Sequence, residues 1–193
     1  MAAPNPQSRK FSALSPTAYA DGLPRSQFMD FSIRELWPQI PRIYRAQPGD
    51  VIVVDAGNSD YAMSGGNVCA IAQKRDITAF IIDGAIRDIA EVREARFPVF
   101  AKGCIPKPGV KDTLGELCVP ITCGGVKVFP KDMIVADEEG IAVIPHQQLD
   151  AVWQIAKDRT DKDAAQSLDD WAKNHRTKIE NILKAKGFQE PTT

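Results

Sequence analysis

Two continuous apolar runs constrain this chain most. Val51-Ile52-Val53-Val54 and Ile77 to Ile82 carry no polar alternation. Such runs mark strands buried on both faces, which occur where helices or other layers cover a largely parallel sheet. The stretch between them, residues 65–75, spaces Val68, Ile71 and Ala72 as one side of a helix. A second helix is expected over Asp88 to Arg96 and a third strand at Val99-Phe100-Ala101. Strand, helix, strand, helix, strand at this spacing predicts βαβ units in an α/β domain.

Beyond the third strand the pattern changes. Residues 102–117 hold Pro106, Pro108, Gly109 and Gly115 and read as loop. Four short strands are then expected at Val119–Thr122, Gly125–Phe129, Met133–Asp137 and Gly140–Ile144. Gly124-Gly125, Pro130-Lys131-Asp132 and Asp137 to Gly140 supply their turns. From Gln147 to about Lys186 the chain reads as helix. Val152, Ile155, Ala156, Leu168, Trp171, Ile179, Ile182 and Leu183 fall near helical spacing. That face is expected to pack on the body or on a neighbouring subunit. At the other end, Ser15-Pro16-Thr17 opens a short helix through Ala20, and residues 22–48 read as an irregular arm. The division is an arm over 1–47, a core over 48–146 and a helical extension over 147–193.

Bulk properties narrow the function. The 193 residues carry a formal net charge of -1, which argues against a nucleic-acid or membrane-surface role carried by bulk electrostatics. No apolar run reaches bilayer length, and residues 1–12 lack the hydrophobic stretch of a secretory signal. Cys69, Cys104, Cys118 and Cys123 form no Cys-x-x-Cys pair. Reduced thiols in a cytoplasmic protein are therefore expected, rather than a zinc site or a disulfide framework.

The chemistry-bearing stretch is Ile81-Ile82-Asp83-Gly84-Ala85-Ile86-Arg87-Asp88. An apolar strand is expected to end in a tight turn that sets an arginine beside a carboxylate. Ligands of open α/β sheets gather at such carboxyl ends. Arg87 can grip an organic acid through two parallel N–H bonds; its alternative is a structural ion pair with Asp83 or Asp55. Asp88 is a hard oxygen ligand suited to Mg²⁺ or Mn²⁺; its alternative is an acid placed favourably in the first turn of a helix. Gly65 and Gly66 open the preceding helix, so the backbone amides of Gly66, Asn67 and Val68 can face an anion. Asp83 is expected to cap the turn, and His146 and Cys123-Gly124-Gly125 are weaker candidates.

These stretches, together with Pro48 to Asp55, Phe97 to Ala101, Val119 to Val126 and Val135 to Pro145, resemble the RraA-like family in family order. That family includes 4-hydroxy-4-methyl-2-oxoglutarate / 4-carboxy-4-hydroxy-2-oxoadipate aldolases and regulators of RNase E. Ser15 to Ala18 and Ile33 to Pro38 look like its N-terminal part. The resemblance implies a three-layer, swivelling β/β/α-type fold with a central mixed sheet. It implies a homotrimer or homohexamer with active sites at subunit interfaces. It also implies a Mg²⁺-dependent class II pyruvate aldolase, with oxaloacetate decarboxylation as a side activity. Carried over, Gly65, Gly66, Asn67 and Val68 bind the pyruvyl group, Arg87 contacts the oxo-acid and Asp88 holds the metal. Two departures stand out. The aldolases have an acid twenty-one positions before the arginine, where this chain has Gly66, and the segment from Pro38 to Pro48 is short. The alternative functions are a non-catalytic RNase E regulator-like binding protein and a different oxo-acid lyase on the same scaffold.

Overall fold

A computed structural model describes residues 40–57, 59–109 and 116–189. The expected helix near Ser15, most of the N-terminal arm, Asn58 and the loop over 110–115 lie outside the described residues. In chain order the elements are α1 (Ile40–Arg45), β1 (Val51–Asp55), α2 (Gly66–Lys74), β2 (Ala79–Ile86), α3 (Ile89–Ala95) and β3 (Val99–Cys104). β4 (Ile121–Cys123), β5 (Val126–Val128), β6 (Met133–Asp137) and β7 (Gly140–Ile144) follow. A 3₁₀ turn (His146–Gln148) then leads into α4 (Leu149–Ala164) and α5 (Leu168–Ala185).

The three long strands form one parallel sheet in the order β1-β2-β3. β4–β5 and β6–β7 are separate antiparallel pairs. The fold is thus α/β, with parallel pairing kept to the central sheet and antiparallel pairing to the hairpins. Side-chain alternation explains the layers. Ile52, Val54, Phe80 and Ile82 face one way and join Cys69, Ala72, Val92 and Phe97 from the helix side. Val53 and Ile81 face the other way and join Cys123, Val126, Val128, Ile141 and Val143 from the hairpins. Both faces are covered, which is why β1 and β2 read as unbroken apolar runs. Within the helix layer, the Phe80 and Phe97 rings meet edge to face with centroids 4.8 Å apart.

α4 covers the far side of β6–β7. Leu149, Val152 and Ala156 repeat at helical spacing and pack on Val135, Ala142 and Ile144. The helical extension is not one continuous rod. It breaks at residues 165–167, where Ser167 caps α5 by accepting from the Asp170 amide at 3.1 Å. The α5 stripe does not pack on the body of this chain: Leu168 is 80% exposed and Trp171 49%.

Two further expectations change. Residues 40–45 form a helix inside the stretch read as an irregular arm. The Arg75 guanidinium donates to the Ile43 and Tyr44 carbonyls at 2.7 and 3.1 Å, satisfying the end of a helix too short to show a period. β2 also runs on through Asp83-Gly84-Ala85 to Ile86, where a turn was expected. Pairing resumes at Ala85 with Gly103 and Ile86 with Cys104 after an irregularity. Gly84 is needed there for packing, because a Cβ on it would collide with the Ala56 methyl group.

Candidate functional site

The turn therefore begins at Arg87, and it is held from two sides. The Arg87 amide donates to the Ser64 carbonyl at 3.0 Å, and the Met63 amide donates to the Ala85 carbonyl at 2.8 Å. The Ile105 amide donates to the Ile86 carbonyl at 2.9 Å. The first two bonds stitch the end of β2 to the segment that enters α2, and the third ties it to the end of β3. Asp88 then adopts a left-handed conformation, φ 57° and ψ 40°, before α3 starts. Non-glycine residues in that region are uncommon, and aspartate is among those that tolerate it best.

Left-handed Asp88 turns its carboxylate onto the start of α2. Asp88 Oδ2 accepts from the Gly66 amide at 3.1 Å and lies 3.4 Å from Arg87 Nε. Both side chains are partly open, at 42% for Arg87 and 34% for Asp88. The expected meeting of Gly65, Gly66, Arg87 and Asp88 is thus found. The partners differ in one respect: the Gly66 amide is engaged by Asp88 itself. Asn67 and Val68 follow in the same first turn, where backbone N–H groups have no intrahelical acceptor. The glycines permit the contact. A Cβ on Gly65 would collide with Asp88 Oδ2 and lie 3.0 Å from Arg87 Cγ. A Cβ on Gly66 would land on the Glu91 carboxylate and lie 2.9 Å from Glu91 Cβ. Glu91 thus stands over the start of α2, which the sequence reading missed. Local order gives no signal for it, because its place depends on how α3 meets α2.

A second polar group lies deeper. Asp55 and Asp83 pair in register on β1 and β2 and face the hairpins. Asp83 is 1% exposed, paired through Oδ1 with the Lys102 ammonium, while Oδ2 accepts from the Gly124 amide at 2.8 Å. The ammonium meets Oδ1 as an ion pair rather than as an aligned hydrogen bond. Asp83 therefore anchors the β4–β5 turn and engages neither Arg87 nor its own turn. The Cys123-Gly124-Gly125 turn is the roof of this buried row. Burial raises Asp55 to about 6, with the Gly57 amide opposing and the Asp83 charge reinforcing the shift. Burial, then the Asp83 and Asp55 charges, pushes the Cys123 thiol up to about 12. His146 is exposed at the end of β7 and lies outside both groups.

The donor set at the turn suits a hard divalent cation. Mg²⁺ is commonly held by one or two carboxylates plus waters and substrate oxygens, and Asp88 is such a carboxylate. Among the described residues there is no cluster of three or more His, Cys, Asp or Glu side chains able to form an all-protein cage. No helix among them is long and apolar enough to cross a membrane.

A parallel three-stranded core with a guanidinium and a carboxylate at a strand end, closed over a helix start, defines the class of domain as α/β. The chain belongs to the RraA-like family (Aldolase/RraA), whose model matches residues 35–143. It is 43% identical over 124 residues to a Halalkalibacterium halodurans protein provisionally named a 4-hydroxy-4-methyl-2-oxoglutarate aldolase, covering 64% of this chain and 59% of that one. It is 36% identical over 98 residues to the 4-hydroxy-4-methyl-2-oxoglutarate aldolase of Thermus thermophilus, covering 50% of this chain and 60% of the relative. The chain thus spans about three-fifths of the curated relatives it matches. Among solved structures, Streptomyces coelicolor RraAS2, a member of the RNase ES inhibitor RraA family, superposes with a TM-score of 0.69. That match has 23% identity and covers 85% of this chain and 97% of that one, so it speaks to the fold.

Proposed function

We propose that this protein is a divalent-metal-dependent lyase that cleaves a pyruvyl-containing 4-hydroxy-2-oxo acid, of the 4-hydroxy-4-methyl-2-oxoglutarate type. The observation that carries the reading is the closure of Arg87 and Asp88 over the α2 start at Gly65 and Gly66. The aldolase names of the sequence relatives support it.

In this reading the Arg87 guanidinium binds the carboxylate and 2-oxo end of the substrate, and the amides of Gly65 through Val68 orient the pyruvyl group. Asp88 would hold the metal, Mg²⁺ or Mn²⁺, through the carboxylate that here accepts from the Gly66 amide. When bound, the metal supplies Lewis-acid stabilisation of negative charge developing on the 2-oxo oxygen. Breaking the C3–C4 bond leaves its electron pair on the pyruvyl half as an enolate, beside the Arg87 charge. Decarboxylation of oxaloacetate yields the same enolate, so that activity accompanies the first. The core over 48–146 supplies these groups. The arm and the helical extension are assigned to assembly as a homotrimer or homohexamer with the site at a subunit interface, in the cytoplasm.

The test follows pyruvate release from oxaloacetate and from 4-hydroxy-4-methyl-2-oxoglutarate, with Mg²⁺ or with a chelator. Metal-dependent release that is lost in Asp88→Ala and in Asp88→Asn is expected. Asparagine tolerates the left-handed backbone, so its loss reports chemistry rather than folding. No release from either substrate refutes the lyase and favours a second reading, a non-catalytic RNase E regulator-like binding protein. The absence of an acidic side chain at Gly66 is the observation on that side.

A further inference from the structure

The proposed cleavage leaves one task without a residue. The proton of the 4-hydroxyl group must be taken up as the C3–C4 bond breaks, and a proton must then be delivered to C3 of the enolate. A guanidinium does not act as a base in proteins, which excludes Arg87, and Asp88 is assigned as an anionic metal ligand. Asn67 has no titratable group. The remaining carboxylate at this turn is that of Glu91.

Its position is unusual for a residue in the first turn of α3. A helical side chain points back toward the N-terminus of its own helix, and here it brings Glu91 over the start of α2. There its carboxylate fills the volume in which a side chain at position 66 would begin, and Glu91 Cδ lies 2.9 Å from that Cβ position. Glycine at 66 and glutamate at 91 are therefore coupled, because any side chain at 66 displaces the carboxylate at 91. Among the described residues no hydrogen bond or ion pair engages Glu91, and the residue is exposed. A carboxylate beside the substrate-binding turn and engaged by no other side chain there is the group left to transfer a proton.

We propose that Glu91 is the acid–base residue of this site: it accepts the 4-hydroxyl proton during cleavage and returns a proton to C3 of the enolate. The proton count balances, since one proton is taken and one returned while the bonding pair moves to the enolate and the other fragment leaves as a carbonyl compound. This assignment rests on the lyase reading above, and places on α3 the carboxylate that Gly66 cannot supply.

The test uses pyruvate alone. Exchange of its methyl protons with solvent deuterium is followed by proton NMR in the presence of Mg²⁺, and Mn²⁺ affinity is measured in parallel by electron paramagnetic resonance. Glu91→Gln is expected to slow exchange about a hundredfold while Mn²⁺ affinity stays within about twofold of wild type. Exchange at the wild-type rate in Glu91→Gln overturns the assignment, as does loss of Mn²⁺ binding together with exchange, which makes Glu91 a ligand instead. A wild-type protein that binds pyruvate with metal yet exchanges nothing overturns the assignment and leaves the binding site standing. A wild-type protein that neither binds nor exchanges overturns both.

Discussion

Asp83 and Asp88 lie five residues apart on one continuous strand-to-helix path, and they have opposite surroundings. Asp83 is 1% exposed, with the Lys102 ammonium on one oxygen and the Gly124 amide on the other. Asp88 is 34% exposed and shares one oxygen between the Gly66 amide and Arg87. The first carboxylate is consumed by structure: it joins the parallel sheet to the β4–β5 turn, and substrate cannot reach it. The second is held in place by contacts that a ligand can rearrange. The same side chain is thus a fastener or a reagent according to whether its partners are buried with it.

Substitutions should separate the two. The largest effect on stability is expected from Asp83→Ala. It strands the Lys102 ammonium and the Gly124 amide inside the hairpin layer, and breaking one half of a buried pair costs about 3–5 kcal/mol. Thermal denaturation checks this, and a shift no larger than that of a surface substitution would contradict the fastener role. Arg87→Lys should leave folding nearly intact while weakening pyruvate binding by about tenfold, because the ammonium cannot form two parallel bonds to a carboxylate. Titration calorimetry with metal present reads this change.

Asp55 gives a pH-dependent contrast within the buried row. Its carboxyl is raised to about 6 in the folded protein, so folding favours the protonated form. That contribution is fully present below the ordinary carboxylate range near pH 4 and is lost as pH rises through about 6. Asp55→Asn, which keeps the acceptor for the Gly57 amide at 3.2 Å, should therefore gain in melting temperature relative to wild type between pH 4 and 7. A difference independent of pH counts against the raised pKa. The smallest effects belong to the surface. Trp171→Ala, on the exposed face of α5, should change monomer stability by less than about 0.5 kcal/mol. In native protein at pH 8, iodoacetamide should label the exposed Cys104 and Cys118 ahead of the buried Cys69 and Cys123, whose thiols burial pushes up.

What the sequence revealed follows the same division. Runs buried on both faces announced β1 and β2, and turn residues on either side fixed β6 and β7 at Met133–Asp137 and Gly140–Ile144. Arg87, Asp88 and the glycines were legible because local order alone places a strand end beside a helix start. Gly84 misled, since a glycine between Asp83 and Ala85 reads as a turn, whereas here it is the close contact with Ala56 that lets the strand continue. The Lys102 partner of Asp83 was illegible because the pairing depends on strand register across the sheet. Glu91 was hidden for a related reason. Its carboxylate matters only because α3 and α2 meet with a glycine between them, and that meeting is tertiary.

The central claim is that Arg87 and Asp88 form a metal-dependent oxo-acid site. Calorimetric titration of pyruvate into the full chain, with Mn²⁺ or with a chelator, in wild type and Asp88→Asn, tests it most directly. The account predicts binding to wild type with metal, and no binding with chelator or in the variant. Pyruvate binding that survives both the chelator and Asp88→Asn would contradict it.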